Sequence, residues 1–130
     1  MKNTILIVKN TVLVVEDERA MTQALADKCT LEGFGVLTAK DGEEGLEVAL
    51  REHPDIILLD IIMPKMDGIT MLKKLRRDEW GKKAKVIILS NLSDEDRVSD
   101  AIEQGTYDYL VKADWKLDDI ITRIRKRLQE

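Results

Sequence analysis

The run Ile56-Ile57-Leu58-Leu59-Asp60 constrains this sequence more than any other stretch. Four consecutive branched apolar residues, preceded by Pro54 and followed by Pro64 and Gly68, predict a short strand buried on both faces, as in the interior of a parallel sheet. The strand ends in a carboxylate. In an open α/β sheet, ligands collect in the crevice outside the carboxyl ends of the strands, which puts Asp60 where chemistry is expected. Alternatively, Asp60 only terminates the strand and starts a turn. Other positions decide between the two.

Glu16-Asp17 closes the apolar run Val12-Leu13-Val14-Val15, Ser90 closes Val86-Ile87-Ile88-Leu89, and Lys112 closes Tyr109-Leu110-Val111. Four strand-like runs thus end in an acidic pair, an acid, a hydroxyl and an amine. Three crowded carboxylates repel one another and favour a hard divalent cation such as Mg²⁺, which takes oxygen ligands and keeps waters that a phosphate can displace. A hydroxyl and an ammonium can then bind the remaining phosphoryl oxygens.

With Met63-Pro64 and Met66-Asp67-Gly68 after Asp60, and Tyr109 three residues before Lys112, the chain from about Thr11 to its C-terminus resembles the response-regulator receiver domain of two-component signalling, of the chemotaxis-regulator type. The resemblance implies that Asp60 accepts a phosphoryl group from the phosphohistidine of a sensor histidine kinase or phosphotransfer protein. It implies Mg²⁺ held by Glu16, Asp17, Asp60 and the main-chain carbonyl of Ile62, with Lys112 and Ser90 assisting transfer. Ser90 and Tyr109 would switch a face formed by the fourth helix, fifth strand and fifth helix toward a downstream effector. Such a chain is a phosphoacceptor and not an enzyme on separate substrates. The implied fold is α/β and flavodoxin-like: a doubly wound five-stranded parallel sheet in the order 2-1-3-4-5, with five helices on both faces.

A length of 130 residues with 44% apolar content predicts one domain with one ordinary core. The net charge of −4 and pI near 5.2 argue against direct nucleic-acid binding, which needs a basic face. A lone cysteine forms no internal disulfide, and the four consecutive apolar residues within residues 1–10 are too few for a signal peptide or membrane span. A cytoplasmic monomer or weak homodimer is expected, without an output domain.

Residues 1–10 form an extension before a receiver unit at 11–130. Lys2-Asn3-Thr4-Ile5-Leu6-Ile7-Val8 is repeated at once as Lys9-Asn10-Thr11-Val12-Leu13-Val14-Val15, and only the second copy leads into the acidic pair. The first copy is expected to be a tail, or to pair with a sheet edge on another molecule.

Apolar spacing predicts helices over Glu18–Glu32, with Met21, Ala24, Leu25 and Cys29 inward and a stop at Gly33, and over Glu43–Arg51, with Leu46, Ala49 and Leu50 inward. Further helices are expected over Ile69–Asp78, over Asp94–Gln104 capped by Ser93, and over Leu117–Leu128 with Ile120, Ile121 and Ile124 inward. Asp41-Gly42 reads as a turn, His53 as a solvated loop residue, and Trp80 as partial loop packing. Five strand–helix repeats make a parallel sheet covered on both sides.

The chain departs from the family pattern in three ways. Glu16 stands where aspartate is commoner, which lengthens the arm by one methylene. Ala113 follows Lys112 where the family usually has proline, and a trans bond is expected there because cis before alanine costs about 3–4 kcal/mol. Ile62 and Leu92 stand at positions that in the family border the path of hydrolytic water, and aliphatic side chains cannot orient it, which predicts a long-lived phosphoaspartate. The first two departures motivate an alternative, a phosphorylation-independent interaction module with a receiver fold. An aspartyl phosphatase would want a second acid at Ile62, and no glycine-rich phosphate loop is present.

Overall fold

Side chains one apart in a strand point to opposite faces of the sheet, so each apolar run of this chain supplies two cores at once. The computed structural model describes residues 9–61, 63, 65–90, 108–111 and 116–130. Its strands are β1 (Thr11–Val15), β2 (Gly35–Ala39), β3 (Ile56–Asp60), β4 (Val86–Ser90) and β5 (Asp108–Val111). All pair in parallel in the order β2-β1-β3-β4-β5, which is the order expected. Leu13, Val15, Ile57, Leu59, Val86 and Ile88 share one core with helices α2 (Gly42–Glu52) and α3 (Gly68–Leu75). Val12, Val14, Ile56, Leu58, Ile87 and Leu89 share the other with α1 (Arg19–Leu31) and α4 (Leu117–Leu128).

All five residues of β3 are buried, as the unbroken apolar run predicted. Cutting Ile57 or Leu58, both fully buried, back to alanine would cost about 2–5 kcal/mol. Four α-helices and a short 3-10 turn at Gly81–Lys83 lie among the described residues. The helix expected over Asp94–Gln104 lies outside them, as do the Lys112–Ala113 bond and Leu92.

Three local expectations are corrected. Asp41-Gly42 is a helix start: the Asp41 carboxylate accepts the Glu44 N–H at 2.8 Å and caps α2, which begins at Gly42. In that helix the buried face is Gly45, Val48 and Ala49, while Leu50 stands 36% exposed. His53 is exposed but not merely solvated. It ends α2 in the left-handed conformation (φ 48°), and its ring stacks on Trp80 with centroids 4.3 Å apart and planes 7° from parallel.

Cys29 is buried, as its place on the inner face of α1 predicted, and burial pushes its thiol up to about 11. Outside that core, α1 and α4 are joined by ions. Lys28 Nζ lies 2.7 Å from Asp118 and 3.2 Å from Glu32, and Arg125 lies 3.1 Å from Glu32. Hydrogen bonds donated to Asp118 and then Glu32 hold Lys28 above its ordinary value, and the Lys28 ammonium holds both carboxyls below theirs.

Candidate phosphoacceptor and metal site

The site is a consequence of register. Val15 of β1 sits level with Leu59 of β3, so the next residues, Glu16 and Asp60, leave adjacent central strands at the same height. Glu16 continues the parity of Val12 and Val14, and Asp60 that of Ile56 and Leu58, so both turn toward the α1 side of the sheet. One carboxylate oxygen from each of Glu16, Asp17 and Asp60 falls within 4.8 Å of the others. Glu16 and Asp60 are 2% and 5% exposed, while Asp17 is open to solvent. A buried acidic pair completed by an exposed third acid is a hard-oxygen donor set with an open side, which suits a small divalent cation that retains water.

The loops around the acids are braced. The Glu16 N–H donates to the Ala39 carbonyl (3.0 Å), its Oε1 accepts the Glu18 N–H (3.2 Å), and its carbonyl accepts the Thr22 hydroxyl (3.2 Å). Beyond Asp60, the Gly68 N–H donates to the Ile61 carbonyl at 2.8 Å. A Cβ on Gly68 would lie 2.1 Å from the Asp60 carbonyl oxygen. Asp67 caps α3 by accepting the Thr70 N–H at 2.8 Å. Lys65, at φ 64°, brings its ammonium to 3.9 Å from Asp41, and the Gly42 N–H donates to the Met66 carbonyl at 3.0 Å. Two carboxyl-end loops are thereby tied together. Beside Glu16 and Asp17 a cavity of about 400 Å³ is lined also by Arg19, Thr22, Lys40 and Glu44.

Of the residues singled out from the sequence, Glu16, Asp17 and Asp60 are brought together. Asp60 is level with Leu89, so Ser90 ends β4 one step beyond it, and Ser90 in turn is level with Val111 on β5. Tyr109 lies on β5, level with Ile88. Lys112 and Ile62 lie outside the described residues. Gly68 and Asp41 were not singled out for the site. The signal available for both was the Asp-Gly pair, which reads locally as a turn.

Comparison with known proteins agrees with this geometry. The response regulator receiver domain family matches residues 12–125. A probable transcriptional regulator ycf27 of Porphyridium aerugineum is 36% identical over 122 residues, covering 93% of this chain and 49% of that protein. The response regulator PleD of Caulobacter vibrioides is 38% identical over 116 residues, covering 89% of this chain and 25% of that protein. The chain thus spans half or less of the curated relatives it matches. Among solved structures, a CheX–CheY–BeF3–Mg²⁺ complex from Borrelia burgdorferi superposes with a TM-score of 0.81 at 35% identity, covering 90% of this chain and 87% of that one. The receiver domain of the Francisella response regulator 1452 gives 0.84 at 31% identity, covering 93% and 98%. The acids at the sheet edge, the strand order and these matches make the chain a member of the response regulator receiver domain family.

Proposed function

We propose that the chain is a phosphoacceptor that takes a phosphoryl group on Asp60 from the phosphohistidine of a sensor kinase or phosphotransfer protein. The observation that carries this is the convergence of Glu16, Asp17 and Asp60 within 4.8 Å at the carboxyl edge of a receiver-type sheet. An Asp60 carboxylate oxygen forms the new bond to phosphorus, the phosphorus–nitrogen bond breaks, and the imidazole leaves with the electron pair. Glu16, Asp17, Asp60 and the main-chain carbonyl of Ile62 would hold Mg²⁺. The bound ion would neutralise charge on the transferring oxygens. A relative at 35% identity was solved with Mg²⁺ and BeF3, which supports the assignment.

Lys112 supplies a second positive charge to the phosphoryl oxygens, and the Ser90 hydroxyl follows the new dianion inward. Tyr109 then repacks, and the face formed by residues 94–104, β5 and α4 presents the phosphorylated state to an effector. The chain catalyses only its own phosphorylation and dephosphorylation, in the cytoplasm. Ile62 and Leu92 are aliphatic two residues beyond Asp60 and Ser90, at positions that in the family border the path of hydrolytic water, so the acyl phosphate outlasts seconds.

Mass spectrometry after treatment with acetyl phosphate and Mg²⁺ tests the reading. One added phosphoryl group on Asp60 is expected, with none on Asp60→Asn. Labelling retained in Asp60→Asn would place the acceptor elsewhere.

A further inference from the structure

The basic residues of this chain gather where the proposed phosphotransfer has no use for them. Residues 73–85 and 123–130 hold eleven of its 21 basic residues and three of its 25 acidic ones, so the rest of the molecule is net negative by twelve charges. We propose that the cavity where these two segments meet, rimmed by Lys83, Lys85 and Arg127, anchors an acidic segment of a partner protein.

Lys85 brings the segments together. It stands just before β4, and its ammonium donates to the main-chain oxygens of Arg127 (2.8 Å) and Glu130 (2.9 Å), which fastens the end of α4 to the start of β4. Between them lies a cavity of about 220 Å³ lined by Lys83, Lys85, Arg127 and Glu130. The turn that carries Lys83 is held from three sides. The Arg76 guanidinium donates to the carbonyls of Gly81 (2.8 Å) and Ala84 (2.7 Å), the Asp78 carboxylate accepts the Gly81 N–H (2.9 Å), and a Cβ on Gly81 would collide with the Leu75 carbonyl. A cation on a turn fixed in this way is in place before a ligand arrives, so less ordering entropy opposes binding.

Helix ends account for only part of the cluster. Lys73, Lys74, Arg125, Lys126 and Arg127 lie in last turns, where a cation meets the negative end of the helix dipole. Lys83 lies outside both α-helices, is exposed, and has no carboxylate partner among the described residues, while Lys82 beside it pairs with Glu79 at 3.1 Å.

Glu130 indicates what the cavity takes. Its carboxylate already accepts Arg127 Nη1 at 2.8 Å on the cavity wall, with the glutamate side chain 51% exposed. Such a solvated pair contributes little, so a partner's carboxylate can replace it at small cost and leave no buried charge unpaired. A second carboxylate on the same segment then reaches Lys83. Duplex nucleic acid suits the surface less well, because a charged rod running past the patch meets the net-negative remainder within a screening length of about 8 Å. A short acidic segment ends where the patch ends. This surface lies at the amino edge of the sheet, and Glu16, Asp17 and Asp60 lie at the carboxyl edge, so the two sites are separate.

Fluorescence anisotropy of a labelled oligoglutamate peptide with the full chain, at an ionic strength of about 0.15 M, is the test. The unaltered chain should bind the peptide. Lys83→Glu should weaken binding by about tenfold or more, whereas Arg19→Glu, the same charge change at the carboxyl edge, should weaken it by less than about twofold. Lys83→Gln should also weaken binding, Lys83→Arg should retain it, and thermal melting of each variant checks that it is folded. Glu130→Gln should tighten binding, because the internal competitor for Arg127 is gone. Absence of binding by the unaltered chain, equal losses in Lys83→Glu and Arg19→Glu, a Glu130→Gln chain that binds no more tightly, or tighter binding of a DNA duplex than of the peptide would each overturn the proposal.

Discussion

Gly68→Ala tests how the acceptor is held. A Cβ at that position would stand 2.1 Å from the Asp60 carbonyl oxygen and 3.0 Å from both the Asp60 carbonyl carbon and the Ile61 Cα. A carbon–oxygen contact needs roughly 3.3 Å, so about 1 Å of separation must be found. The obstructing atoms are backbone, with no side-chain rotamer to yield. Gly68 does not occupy the left-handed region, so alanine there is opposed by collision alone. The separation comes either from α3 moving out, at the expense of the 2.8 Å Gly68–Ile61 hydrogen bond and the burial of Ile69 and Leu72, or from the peptide after Asp60 moving. Overpacking of this kind costs about 1–3 kcal/mol, and a 1 Å misplacement of a reacting group costs about 100-fold in rate. Urea unfolding and the rate of acetyl-phosphate labelling followed by intact mass should both register the change. Gly35→Ala is the control, because its Cβ would meet Thr11 Oγ1 at 3.5 Å, an ordinary contact. If Gly68→Ala matched Gly35→Ala in stability and labelling rate, the claim that close backbone approach positions Asp60 would be wrong.

Two further predictions concern the face shared by α1 and α4. Lys28 holds Glu32 and Asp118 below their ordinary values, so what these carboxylates add to stability is present above the unfolded carboxylate range and lost as pH falls through the lowered values. Lys28 itself is raised above 10.5, so its part is present below that value and lost as pH rises through the raised one. All three groups are solvated and the effect is small. NMR titration of Asp118→Asn should therefore move Lys28 back toward its ordinary value and flatten the acid limb of the stability profile, and an unchanged Lys28 would refute the pairing. Cys29, raised from 9.0 to about 11, favours the folded state below 9 and loses that contribution between the two values. Its thiolate fraction at pH 8 is about 100-fold lower than in the unfolded chain, so iodoacetamide should label native protein at least that much more slowly. Equal rates in the folded and urea-unfolded chain would show the thiol to be open.

The sheet was legible because its causes are local. Each apolar run is read directly, and the polar residue closing it marks the carboxyl edge where Glu16 and Asp60 meet. Strand order was different in kind: no spacing in this chain dictates that β1 lies between β2 and β3, and that expectation came from resemblance. The exposure of Leu50 shows the limit of periodicity in α2. Leu46, Val48, Ala49 and Leu50 span nearly a full turn, and only packing against β1 and α3 selects Val48 and Ala49. The strongest selector is Gly45, whose Cβ would stand 2.8 Å from Val15 and 3.0 Å from the Met71 sulfur. The stack of His53 on Trp80 joins residues far apart in sequence, and neither residue alone signals it.

Asp41-Gly42 was misread as a turn for a reason that Asp67-Gly68 makes clear. Asp41-Gly42 and Asp67-Gly68 both begin helices, and in each the aspartate accepts the N–H three residues on while the glycine stands first in the helix. Each glycine then does what no residue with a Cβ could: a Cβ on Gly42 would lie 2.2 Å from the Met66 carbonyl oxygen, and one on Gly68 2.1 Å from that of Asp60. Their N–H groups donate to Met66 and Ile61 respectively, so each of these two residues is held by a helix start. Asp-Gly in this chain therefore encodes a cap plus a close approach, used twice, and its second partner lies outside the helix it starts. These two contacts tie Ile61 to the start of α3 and Met66 to the start of α2, at the carboxyl edge of the sheet where Asp60 lies beside Glu16.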